Sequence, residues 1–287
     1  MITLQNDRFR LSVDPAMGAS VGRFEVATAE GWVPVLAPRA APARTAGDTA
    51  MFLMAPFANR ARGNRLALGT RRIELAPNTD EPLALHGIAW QRSWEVIETT
   101  AGRIALGLDI RGNYPLDLRM GFMAELRATG VRFGLSLRNT GARAVPCGIG
   151  FHPYFPRLAD TQVAFAARTL WPEGPGHLPL GKRPLPASEA YSTPRGLPEA
   201  WRNQCYSGWD GRARITQPSL GYGLEMRGRG LPALMLFADP GMARFALEPQ
   251  SHVSGETGTG PHGLTVLPAG QSISAELTLK IAGLSLR

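Results

Sequence analysis

Residues 116–127 read LDLRMGFMAELR, and apolar side chains fall on every second position: Leu116, Leu118, Met120, Phe122, Ala124 and Leu126. Asp117, Arg119, Gly121, Met123, Glu125 and Arg127 fill the positions between them. Successive side chains of a β-strand point to opposite faces, so a period of two predicts a strand with one face in a core. Just downstream, Val131, Phe133, Leu135 and Leu137 alternate with Arg132, Gly134, Ser136 and Arg138, and the intervening Thr129–Gly130 predicts a hairpin turn. The same alternation recurs at Ile104, Leu106, Leu108 and Ile110, and at Ile273, Ala275, Leu277, Leu279 and Ile281. Shorter candidate strands are Arg71–Leu75, Ser93–Glu98, Gln162–Ala166, Leu224–Arg227, Leu234–Phe237 and Phe245–Glu248.

Composition supports an all-β chain. The 287 residues include 33 Gly and 24 Pro, spread from end to end, which leaves little room for long helices. No stretch has a convincing period of 3.6, no repeat is visible, and no shift in composition marks a domain boundary. The expectation is one large antiparallel β-sandwich, a single domain over residues 1–287. The Pro-rich segment from Pro172 to Pro198 reads as a long surface loop. With 44% apolar and 19% charged residues, a disordered chain and a coiled coil are both excluded.

The formal net charge is +8, mostly from arginine. Arginine forks suit an anionic ligand, but these are scattered and form no basic run, so a solvated basic surface is expected rather than a nucleic-acid partner. Two cysteines, Cys147 and Cys205, are too few for a disulfide framework and predict free buried thiols. The N-terminus has no secretory pattern and no apolar run reaches about 18 residues, so a soluble cytoplasmic protein with no membrane partner is expected.

Among five histidines, His152 stands out in GIGFHPYF (148–155), where aromatic and proline neighbours can shield an imidazole and fix its orientation for proton transfer. Alone, any of the five is more often a structural or surface histidine than a catalytic one. Glu248, in FALEPQ (245–250), sits among apolar residues at an expected strand end before Pro249; such a carboxyl can have a raised pKa, or be an ordinary surface glutamate. Asn59 and Arg60 lie in PFANRARGNR (56–65), either a solvated loop or a set of fixed donors. WRNQCYSGWDG (201–211) mixes aromatic and polar side chains as sugar sites do, and as packed turns also do.

Taken in order, Asn59-Arg60, LHG (85–87) with Trp90, GFHPYF (150–155), CYSGWDG (205–211) and LEP (247–249) resemble the aldose 1-epimerases, the galactose-mutarotase-like proteins. The likeness covers roughly residues 1–285, and GFHPYF is its most specific part. It implies a large β-supersandwich of extended antiparallel sheets. It implies Glu248 as general base, His152 as general acid, His86 as a second histidine near the ring oxygen, and Arg60 as the residue that orients sugar hydroxyls. Asn59, Asn203, Tyr206 and Trp209 are the remaining expected sugar contacts. The family commonly has Asp where this chain has Asn203, three residues before Tyr206, which bears on the choice of sugar.

Interconverting α and β anomers needs one base for the O1 proton and one acid for the ring oxygen, and no cofactor. An ionised Glu248 with a protonated His152 predicts a bell-shaped pH profile. A glycosidase would need a second carboxylate, for which Asp210 and Asp239 are the nearest candidates. A cupin-like metal enzyme would need a tight ligand cluster, which His86, His152 and Glu248 do not form in sequence. A non-catalytic carbohydrate-binding protein and an epimerase for an anionic sugar are the other readings. Monomer and homodimer are both open.

Overall fold

A computed structural model describes residues 1–38 and 42–283. The alternating run becomes the strand Leu118–Arg127, with Leu118, Met120, Phe122, Ala124 and Leu126 buried. It pairs in antiparallel register with Gly130–Asn139 on one side and Arg103–Ile110 on the other. The hairpin turns at Ala128–Thr129, one residue before the expected place, because Gly130 already pairs with Arg127. Phe122 and Phe133 stack at 6.1 Å between centroids. Burying each such side chain contributes about 1.5–3 kcal/mol.

These strands belong to a nine-stranded antiparallel sheet in the order Arg195–Gly196, Gln162–Phe165, Arg212–Gln217, Tyr222–Arg229, Ser272–Ala282, Gly130–Asn139, Leu118–Arg127, Arg103–Ile110 and Glu95–Thr99. An eleven-stranded sheet faces it. Its path runs Ile2–Gln5, Phe9–Asp14, Ser20–Thr28, Met51–Met54, Gly150–Pro156, Arg244–Gln250, Ala233–Ala238, Arg202–Ser207, Thr169–Trp171 and Arg183–Pro184, with Gly31–Leu36 also paired to Ser20–Thr28. One continuous apolar cluster takes side chains from both sheets, so the chain is the antiparallel sandwich its alternation implies. The helical elements among the described residues are three-residue 3-10 turns, and no helix is long and apolar enough to cross a membrane.

Two expectations need correction. The strand through Glu248 does not stop there but continues to Gln250, with Pro249 opposite Leu234. The proline is tolerated where the ladder to Gly150–Pro156 is open: partners are paired at Gly150/Gln250 and again at Tyr154/Ala246, with none between. The segment from Pro172 to Pro198 is also more than a surface loop. Arg183–Pro184 adds to one sheet and Arg195–Gly196 to the other.

The middle strands of the larger sheet, Met51–Met54, Gly150–Pro156 and Arg244–Gln250, are buried along their whole length. Their inward side chains, among them Leu53, Phe151, Phe155, Phe245 and Leu247, join the sandwich core. Their outward side chains are covered by other segments of the chain and form two small apolar clusters. One holds Phe52, Met54, Trp90, Tyr154 and Ala246; the other holds Trp171, Cys205, Ala233, Met235 and Val253.

Candidate active site

Register alone sets the outline of the site. The constant pairing of Gly150 with Gln250 and Tyr154 with Ala246 puts His152 opposite Glu248. His152 also pairs with Phe52, Glu248 with Met235, Met235 with Cys205, and Cys205 with Trp171. Directly opposed residues of antiparallel strands point to the same face. One row of side chains therefore runs Phe52, His152, Glu248, Met235, Cys205, Trp171 across five strand boundaries. Two residues along, a second row runs Tyr154, Ala246, Phe237, Asn203. The His152–Glu248 pair lies in the gap between the two outward clusters.

The pair is in contact, with His152 Nε2 3.1 Å from Glu248 Oε1, and both side chains are almost wholly buried. Glu248 Oε2 has no hydrogen-bond partner, and His152 Nδ1 has none outside its own residue. Burial pushes the Glu248 carboxyl up to about 8, with the Arg60 charge pulling the other way. Burial, and then the nearby Arg244 charge, push the His152 imidazole down to about 3. Desolvation thus disfavours the charged form of both groups and pushes the pair toward a neutral carboxyl beside a neutral imidazole. This order is the reverse of the ionised Glu248 and protonated His152 expected from sequence, and desolvation is the reason.

His152 is fixed by stacking. Phe52 lies against one side at 4.3 Å between centroids, and Tyr154 against it at 4.7 Å. Arg244 stacks on Tyr154 at 3.7 Å and donates to the carbonyls of Gly47, Asp48 and Thr49. Neither Phe52 nor Arg244 was singled out by sequence. Phe52 sits in the uniformly apolar MFLM run, and backbone carbonyls, the partners of Arg244, leave no trace in side-chain composition.

His86 approaches edge-on, its ring 5.2 Å from that of His152. Two hydrogen bonds hold it to Asn59. The His86 N–H donates to the Asn59 carbonyl at 2.8 Å, and the Asn59 N–H donates to His86 Nδ1 at 3.0 Å. Accepting at Nδ1 leaves the neutral ring its proton on Nε2. Burial, then the charges at His152 and Arg60, keep its pKa well below the usual histidine value. His86 is therefore a neutral donor. Asn59 acts through this clamp, with its own side-chain oxygen turned back to the Arg60 N–H. Arg60 is held by Glu81 in a bidentate pair at 2.6 and 2.7 Å, and its charge reaches both His86 and Glu248.

The clamp needs left-handed backbone, with φ of +59° at Asn59, +57° at His86 and +67° at Gly87. A Cβ on Gly87 would lie 2.1 Å from the Ala55 carbonyl oxygen. Gly87→Ala is expected to displace the His86 turn, costing about 1–3 kcal/mol of stability, and to lower activity through His86. Thermal melting and turnover of the variant check both effects.

Asn203 falls on the outward face with the pair, whereas Tyr206 and Trp209 do not join it. Tyr206 has the opposite parity to Asn203 and Cys205, so it turns into the sandwich core against Phe165 and Tyr191. Trp209 is buried in the same core and donates to the Arg212 carbonyl, closing a turn. These two are corrected from sugar contacts to packing residues. The second carboxylates considered for a glycosidase, Asp210 and Asp239, each cap a turn by accepting a backbone N–H two residues on. Among the described residues no group of three His, Cys, Asp or Glu side chains is arranged to hold a metal ion. Cys147 and Cys205 are free and buried.

The sequence profile of the aldose 1-epimerases matches residues 1–280. The uncharacterized protein YphB of Escherichia coli K12 is 31% identical over 292 residues, covering 97% of this chain and 98% of its own. A crystal structure of a candidate aldose 1-epimerase from Escherichia coli K12 superimposes with a TM-score of 0.89 at 30% identity, covering 98% of both chains. A galactose mutarotase-like protein from Clostridium acetobutylicum shares the fold, with a TM-score of 0.83 at 14% identity over 98% of this chain and 94% of that one. Matched along nearly its whole length in sequence, and in the sandwich that carries the buried carboxyl and imidazole, the chain belongs to the aldose 1-epimerase family.

Proposed function

We propose that the protein interconverts the α and β anomers of an aldohexose, with Glu248 and His152 exchanging protons with the two oxygens on C1. The observation that supports this most is the buried contact between Glu248 and His152, each with one further polar atom unpartnered by another residue. The hydroxyl and ring oxygens of a hemiacetal share one carbon, so base and acid must themselves be close neighbours.

Ring opening takes the O1 proton to the Glu248 carboxylate while C1 becomes a carbonyl. The C1–O5 electron pair goes to O5, which takes the proton from His152. That leaves a protonated carboxyl and a neutral imidazole, the state that burial favours at rest. Closure uses this state: His152 takes the proton from the O5 hydroxyl as O5 attacks C1, and Glu248 protonates O1. Rotation about C1–C2 between the two steps changes the anomer. Closure restores the carboxylate and the imidazolium, so the cycle needs no group beyond the pair, and the direct contact lets a proton resting on the carboxyl pass to the imidazole before the ring opens. His86 Nε2–H and Arg60 serve as fixed donors to the sugar.

Anomer exchange of ¹³C1-labelled glucose and galactose, followed by NMR, tests the reading. Exchange well above the buffer rate is expected, and saturable in sugar. Sugar binding with exchange at the buffer rate would instead make the protein a non-catalytic carbohydrate binder.

A further inference from the structure

Glu173 belongs to the segment read from sequence as a surface loop, yet it is drawn onto the outward face of the larger sheet. Its Oε1 accepts the Asn203 side-chain N–H at 2.6 Å, and also meets His177 Nδ1; its Oε2 accepts the Trp201 indole N–H at 2.7 Å. Burial would raise its pKa, but the hydrogen bonds from Asn203, His177 and Trp201 outweigh this and lower it, so the group stays ionised. Trp201 packs edge-on against Phe237 at 5.2 Å and is 44% exposed, so much of its indole remains open.

Asn203 stands in the row Tyr154, Ala246, Phe237, Asn203, beside the row that holds Glu248. Two strand spacings and one two-residue step separate it from Glu248, about 10 Å across and about 7 Å along. That span suits one pyranose ring with its hydroxyl groups. Between them the floor is Met235, Ala246 and Phe237, and Ala246 contributes only a methyl group. Because its N–H is committed to Glu173, the Asn203 amide has one orientation and presents Oδ1 as an acceptor. The part of this face away from the catalytic pair therefore carries an acceptor, a negative charge behind it, and an exposed indole.

Resting on the epimerase reading above, we propose that Glu173 is a positioning and specificity-determining residue. It locks Asn203 as an acceptor for sugar hydroxyls at the far end of the ring, and its charge turns away hexoses that carry an anionic group there.

The test is a charge-exchange cycle. Glu173→Gln is expected to raise KM for galactose or glucose about 10-fold with kcat changed less than about 3-fold, as loss of a contact that serves ground and transition states alike requires. It should also raise the kcat/KM of glucuronate or galacturonate relative to the neutral hexose. Asn203→Asp alone sets two carboxylates in contact and should raise KM at least as much. Combining the two substitutions moves the carboxylate to position 203 with an amide at 173, and KM should return to within about 3-fold of wild type. A packing role for Glu173 predicts additive defects, lowered melting temperatures and no change in the uronate preference. Any of three results would overturn the proposal: additivity in the double variant, an unchanged KM in Glu173→Gln, or an unmoved uronate-to-hexose ratio. The same cycle read as calorimetric Kd separates this proposal from the epimerase reading. Sugar affinities that follow the exchange support it whether or not exchange is catalysed, and affinities indifferent to position 173 sink it.

Discussion

Glu248→Gln is expected to lower kcat for anomer exchange by about 10²–10⁴-fold, the usual contribution of a positioned general base, while the protein melts at the same temperature or higher. The two halves of that expectation have one cause. Desolvation holds the Glu248 pKa at about 8 against an ordinary 4.5, so the buried group resists the charged form the base must adopt. A group that ionises more easily unfolded than folded makes the native state lose stability as pH rises from about 4.5 to about 8; above about 8 the deficit is constant. Glutamine has nearly the same shape, has no charge to hide, and can still donate to His152. The variant should therefore gain stability relative to wild type across that pH window as it loses turnover. Glu248 as a structural partner of His152 predicts the opposite pattern, with stability falling and activity surviving in proportion to folded protein. Melting curves at pH 5 and 8, beside NMR exchange rates, distinguish the two.

What the sequence discloses depends on how many faces of a strand meet water. The strands Arg103–Ile110, Leu118–Arg127, Gly130–Asn139 and Ser272–Ala282 have one solvent-facing side, and their alternation was legible to within a residue or two. Met51–Met54 and Gly150–Pro156 are buried on both faces, so no alternation marks them. The site lies on Gly150–Pro156 and on Arg244–Gln250, also buried throughout, so His152 and Glu248 came from local residue context and motif likeness rather than from periodicity.

Composition misled at Tyr206 and Trp209, where aromatic residues among polar ones suggested a sugar platform. A parity count from Asn203 puts Tyr206 on the core side. Glu173 was hidden for a different reason. Its contact with Asn203 spans 30 positions and runs through irregular, Pro-rich chain with no period to follow. The exposed aromatic side chain of residues 201–211 is Trp201, held by a glutamate from outside the run.

His152→Gln is expected to lower kcat by about 10²–10⁴-fold and, more diagnostically, to reverse the response to alkali. In the wild type the working unit is a pair with one proton. Activity should fall at the acid end as His152, held at about 3, gains a second proton, and at the alkaline end as Glu248, held at about 8, loses the only one. A bell is still expected, with its limbs in the opposite order from the sequence reading: the acid limb from the imidazole and the alkaline limb from the carboxyl. Pair protonation explains why either assignment gives the same shape, since moving one proton between Glu248 and His152 leaves the total unchanged. Glutamine at 152 breaks that symmetry. The remaining activity can come only from Glu248 acting as a carboxylate, with the ring oxygen protonated from solvent or by His86, so the residual rate should climb as pH passes about 8, where the wild-type rate declines. A variant whose residual activity still falls above pH 8 would mean that the ionisation seen in the wild type is not that of the shared proton. The neighbours make the substitution a fair one, because a glutamine amide is flat and polar like the imidazole that stacks on Phe52 and meets Tyr154 at a tilt. The same desolvation sets a further sign. A histidine held below its unfolded value of 6.5 withdraws stability as pH falls from about 6.5 toward about 3, and the glutamine variant should resist acid better than the wild type over that range.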